Sequence, residues 1–147
     1  MKPPAPHDAA LDRFVEAQRT QHDIALAELR AGRKRSHWMW FVFPQIAGLG
    51  RSETARFYAI ADAGEARAYL AHPLLGARLY AAVAAAVAAP GSAEAIFGGI
   101  DAIKLRSSLT LFAAVADDPA PFRHGLERFF GGQPDPATLE RLNRPAE

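Results

Sequence analysis

Cysteine is absent from the sequence, which excludes a disulfide scaffold, a thiol nucleophile and every thiolate metal centre. β-Branched aliphatics are scarce: valine and isoleucine together number 11, and no run of four or more residues alternates apolar with polar, which argues against a sheet. Long hydrophobic runs are missing too. The most apolar stretch, residues 79–89, is mostly alanine and falls short of the roughly 20 residues that span a bilayer. The opening Met1-Lys2-Pro3-Pro4-Ala5-Pro6 has one charge and no leucine-rich run behind it, unlike a secretory signal. Nor is there an excess of one charge: 17 lysines and arginines face 16 aspartates and glutamates. That excludes a histone-like polycation and an acidic disordered tail, and a net charge of +1 argues against strong nucleic-acid binding. The expectation is a cytoplasmic monomer with no membrane association, no metal and no cofactor.

What the chain has in quantity is alanine, 32 residues, with 14 leucines and 9 phenylalanines to build a core. Its 147 residues suit one domain. Helix caps punctuate it throughout. Asp8 precedes a segment with Leu11, Phe14 and Val15 on one face. Thr20 followed by Asp23 resembles a capping box, which predicts a break and a new helix to Ala31; an unbroken helix also fits, at the expense of putting Gln18 and His22 on the apolar face. Gly32 ends the segment. Ser36 is the expected cap of a short helix to Phe43, and Ser52 of one to about Ala61. Asp62 opens a helix to Ala71, Pro73 a long one to Ala89, and Ser92 a turn to Phe97. Asp101, Asp118 and Asp135 open the last three. The prediction is an all-α, compact single-domain bundle of about seven to eight helices over 8–142, with residues 1–7 and 143–147 as tails.

Three motifs carry polar chemistry. The first runs from Arg33-Lys34-Arg35-Ser36-His37-Trp38 through Trp40 to Gln45. From Arg30 to Arg51, both included, there are five cationic side chains and no carboxylate, with four aromatic rings soon after the basic triplet. Cations beside ring faces suit a phosphate attached to a flat base; a solvated basic turn before a buried aromatic helix is the plainer alternative. The second is Gly48-Leu49-Gly50-Arg51-Ser52 before a predicted helix, where backbone amides and Arg51 could receive an anion. It is neither a Walker loop nor a dinucleotide fingerprint. The third is Lys104-Leu105-Arg106-Ser107-Ser108 in a helix that is apolar almost all round. Lys104 with hydroxyls at i+3 and i+4 either lines a cleft or belongs to a structural network, and a buried lysine can activate a serine. Leu105, Leu109, Phe112 and Ala116 define the core face, with Arg106 and Thr110 turned away from it.

These motifs, with His72-Pro73-Leu74-Leu75-Gly76 and the closing Phe130-Gly131-Gly132, resemble the family catalogued as domain of unknown function 1810, over roughly residues 9–142. The resemblance implies a small all-helical bacterial protein and carries no catalytic assignment. The label "calpastatin" attached to some members does not fit, because that inhibitor is an extended disordered repeat and this chain has a core-forming pattern.

The leading expectation is a domain that binds, and in its sharper form processes, a phosphorylated or nucleotide-like small molecule. Arg33, Lys34, Arg51, Lys104 and Arg106 supply charge, Trp38 or Trp40 a stacking face, and Ser36, Gln45, Gly48, Gly50 and Ser52 further contacts. His37, Lys104, Ser107 and Ser108 are the catalytic candidates. The absence of local carboxylates makes a ligand anion the expected partner of the triplet. The alternative is a non-catalytic protein- or nucleic-acid-interaction module using the basic 30–37 turn.

Overall fold

A computed structural model describes residues 7–143; the expected tails lie outside them, except for His7 and Asn143. The described residues form nine helices and no strand. These are α1 (Asp8–Arg30), α2 (Met39–Val42), α3 (Glu53–Phe57), α4 (Ala63–Ala71), α5 (Pro73–Ala88), α6 (Ala93–Phe97), α7 (Gly99–Val115), α8 (Ala120–Phe130) and α9 (Pro136–Asn143). The expected all-α fold is what the chain adopts. Helix α7 sits at the centre, packed by α4, α6, α8 and α9, while α5 lies across α1, α4 and α8. One apolar cluster joins them, with Phe14, Trp38, Phe43, Tyr69, Leu79, Phe112 and Phe122 among its enclosed members. No single helix among the described residues is long and apolar enough to cross a membrane.

Several caps fall where the residue chemistry puts them. Ser52, Asp62 and Ser92 accept hydrogen bonds from the backbone N–H three residues on, opening α3, α4 and α6. His72 caps α5 through Nδ1, which accepts from the N–H of Leu74 and Leu75 at 3.2 Å each, with Pro73 at the first helical position.

Other expectations are corrected. Helix α1 does not break at Thr20; it runs unbroken to Arg30. Gln18 can occupy the buried stripe because its amide donates to the Phe41 carbonyl (2.6 Å) and the Tyr69 hydroxyl (2.9 Å), so tertiary partners outweigh the local capping signal. That burial pushes the Tyr69 phenol well up. His22, below Gln18 on the same stripe, is lowered by burial and by nearby Arg78. Ser36 caps no helix. Its hydroxyl goes to Glu28, and α2 begins only at Met39 with no side-chain cap. Helix α3 stops at Phe57, short of Ala61, because Ile60 pairs its backbone with the 45–47 segment. Gly99, not Asp101, begins α7.

Candidate functional site

The basic turn after α1 is held from beneath. Glu28, near the end of α1, accepts the N–H of Arg35 (2.7 Å) and Ser36 (2.9 Å), the Ser36 hydroxyl (2.6 Å) and the Trp38 indole N–H (2.9 Å). Burial raises its pKa, but those four donors outweigh it and hold the carboxyl at about 2. The backbone N–H of Lys34 donates to the Ile96 carbonyl at 2.7 Å, which fastens the same turn to α6. Trp38 is fully enclosed, with its ring against Phe43 and Phe97.

Above this anchor, one carboxylate gathers two lysines. Asp101, in the first turn of α7, receives the Lys34 ammonium on Oδ2 at 2.9 Å and the Lys104 ammonium on Oδ1 at 3.4 Å. Lys34 also donates to the Ser36 carbonyl (2.5 Å) and lies over the Trp38 ring, and only 8% of its side chain is exposed. Lys104 is more open at 22%, and its ammonium stands 4.7 Å from the centre of the Trp40 ring. Beside the group lies an open cleft of about 380 Å³, lined by Lys34, His37, Trp40, Gly99, Ile100 and Asp101 among others. The first and third motifs therefore meet, through Lys34–Asp101 and Trp40–Lys104.

The expected partner of the triplet was a ligand anion, and for Lys34 the structure supplies a carboxylate of the chain instead. Glu28 and Asp101 both reach it, one from before the segment and one from 67 positions beyond Lys34. Arg33 and Arg35 are exposed, and among the described residues neither guanidinium forms an ion pair. In charge terms Asp101 cancels one lysine, and the second remains over the ring.

The other motif residues serve the fold. The Arg106 guanidinium donates to the carbonyls of Gln133 and Pro134, both at 2.9 Å. Ser107 donates to Asp135 and to the Ile103 carbonyl, and the Thr110 hydroxyl accepts the Asp135 N–H at 2.8 Å. Thr110 is thus buried against the α8–α9 connection, not turned to solvent, and α7 is enclosed on nearly every side from Ser107 to Phe112. The Ser108 hydroxyl is buried with no hydrogen-bond partner among the described residues. Neither serine meets Lys104, so the activated-serine arrangement is not assembled.

In the glycine loop, Ser52 is a cap and Arg51 is exposed. Gly48 has φ +98°, and a Cβ there would fall 2.6 Å from the Arg141 guanidinium carbon. Gly50 has the Ala55 side chain where its own would stand. Gly48 is explained by its backbone conformation and Gly50 by close packing. The Gln45 carbonyl accepts from Ile60, which makes that residue part of the 45–60 pairing.

Sequence reasoning missed Asp101 as a charge centre, Glu28 as an anchor, and Gly99 and Ile100 as cleft wall. Asp101 carried only the weak signal of its i, i+3 spacing from Lys104.

Comparison with known proteins agrees with this architecture. The family described as "Protein of unknown function (DUF1810)" matches residues 8–142. The crystal structure of the conserved hypothetical protein Rv1873 from Mycobacterium tuberculosis superposes with a TM-score of 0.91 at 46% identity, covering 96% of this chain and 100% of that one. No curated protein matches. The chain belongs to the DUF1810 family.

Proposed function

We propose that this DUF1810 protein binds a small phosphorylated molecule with a flat apolar part, nucleotide-like in chemistry, in the cleft between residues 34–40 and the start of α7. The observation that carries the reading is the sharing of Asp101 by Lys34 and Lys104 beside Trp40. Because Lys34 already neutralises the carboxylate, the Lys104 charge is left for an incoming anion, and Arg33 and Arg35 add to the field nearby. His37 and Trp40 on the cleft wall offer a polar edge and a ring.

The proposal is binding without covalent chemistry. Ser107 is engaged by Asp135, and Ser108 is enclosed. Arg106, Gly48, Gly50 and Ser52 have other roles in the fold and Arg51 does not line the cleft, so all five are left out of the ligand set.

Calorimetric titration of inorganic phosphate and a panel of nucleoside monophosphates tests the reading. Binding to the wild type should weaken with added salt. Lys104→Ala should raise the Kd about tenfold, the loss of one charge-assisted contact of about 1.4 kcal/mol. No heat with any member of the panel, or equal binding by the variant, overturns the proposal.

A further inference from the structure

Two large apolar side chains on the first turns of α7 stand in water: Ile100 is 75% exposed and Ile103 is 68% exposed. They are the most exposed of the large hydrophobic residues among those described. Ile100 belongs to the cleft just assigned to the anion. Ile103 belongs to a second cleft of about 420 Å³ on the far side of the helix start, whose apolar wall is Ala93, Ala102, Phe129 and Phe130. Gly99 borders both clefts.

The glycines at this crossing are unequal. Gly98 has φ +83° and ψ 161°, a conformation closed to other residues, so its identity follows from the backbone. Gly99 has no such need. Its φ is not positive, it occupies the first helical position, and a Cβ there would meet nothing closer than the Glu94 carboxylate at 3.8 Å. Alanine would fit and would cost less backbone entropy. What a side chain at 99 would do is stand between the two clefts.

We infer that the two clefts form one elongated site, and that its ligand is a soluble amphiphilic phosphomonoester: the phosphate lies by Lys104, and an apolar chain crosses Gly99 onto Ile103, Phe129 and Phe130. This rests on the anion reading for its head and adds the tail. It accounts for both exposed isoleucines, which the chain would cover, and for a glycine that neither strain nor packing requires. Each cleft has the size of one part of a small molecule. The charges agree: Arg106 and Asp135 in the second cleft are engaged by the protein itself, and the remaining charge there, the exposed Glu94 carboxylate, repels a phosphate, which leaves the apolar wall for an uncharged chain.

The probes are inorganic phosphate, butyl, hexyl and octyl phosphate as monomers, and octanol, titrated into the full chain. Affinity should rise roughly fourfold for each methylene that reaches the groove. Ile103→Ser and Phe130→Ser, which line only the second cleft, should each abolish that increment while leaving inorganic phosphate binding unchanged. Gly99→Leu should abolish the increment as well, and an unaltered circular dichroism spectrum shows that the variants are folded. Lys104→Ala should weaken every phosphate equally and leave the increment. Phosphate binding with no dependence on chain length overturns this inference and leaves the proposed function standing. Octanol binding as tightly as octyl phosphate, or no binding by any probe, overturns both. Flotation of the protein with phosphatidate vesicles that octyl phosphate does not displace overturns the single-molecule site in favour of a lipid surface.

Discussion

Two aspartates hold helix α7, and they do so in opposite ways. Asp135 is closed: its Oδ2 accepts the Ser107 hydroxyl (3.1 Å) and both the N–H and the hydroxyl of Thr138 (3.1 and 2.5 Å), while its own N–H goes to Thr110. Every donor is neutral and fixed by a helix. Asp101 is open: both of its partners are ammonium groups on long stems; Lys34 lines the cleft and Lys104 stands over Trp40 on the cleft wall. A carboxylate satisfied by short neutral donors acts as a joint. One satisfied by two cations leaves charge over, and can exchange a partner for a ligand. The two polar motifs look alike as strings, yet this difference separates the part that folds the chain from the part proposed to bind.

Removing the two carboxylates is the sharpest way to break the comparison. Asp135→Ala strips acceptors from Ser107 and Thr138 and removes the cap of α9, which should cost about 3 kcal/mol in urea unfolding. Asp101→Ala should cost about half as much, because Lys104 can turn to water. Equal losses would erase the distinction.

Acid gives a second test, confined to the anchor under the open region. Glu28 has its carboxyl held at about 2 against an ordinary 4.5. A lowered folded value means that its contribution is present above pH 4.5 and disappears as the pH falls from there towards 2. Stability should decline over that window, and the Trp38 indole N–H resonance should shift with it. Glu28→Gln should flatten the decline and lower stability near neutrality by about 1 kcal/mol.

The smallest effect is expected at Ser108, whose enclosed hydroxyl has no partner. Ser108→Ala removes an unsatisfied group and should leave stability unchanged or raise it by up to about 1 kcal/mol. A loss of 2 kcal/mol would mean that this hydroxyl belongs to the closed joint after all.

Local chemistry made most helix starts legible. Ser52, Asp62, Pro73 and Ser92 act within four residues of themselves, and so did their signals. What failed was decided at long range. Thr20 and Asp23 form a plausible cap, but Gln18 finds Tyr69, 51 positions on, and the helix continues. Ser36 is a plausible cap, but Glu28 takes its hydroxyl. The charge count around the basic triplet was correct along the chain and wrong in space, since Asp101 arrives from α7. Lys34 and Lys104 were legible as charges of one site; the carboxylate that joins them was not, because an acidic residue in a first helical turn already has a local explanation.

The different seating of Trp38 and Trp40 has a consequence in light. The protein has two tryptophans, one fully enclosed against Phe43 and Phe97 and the other half-buried beneath an ammonium at the cleft. The enclosed indole emits from a dry, fixed environment and is shielded from a dissolved quencher. The half-buried one emits next to water, and the positive charge above it draws an anionic quencher such as iodide. The emission therefore separates without any added dye into a component that follows the interior and a component that follows the cleft, so unfolding and the proposed ligand binding can be followed at once in a single sample.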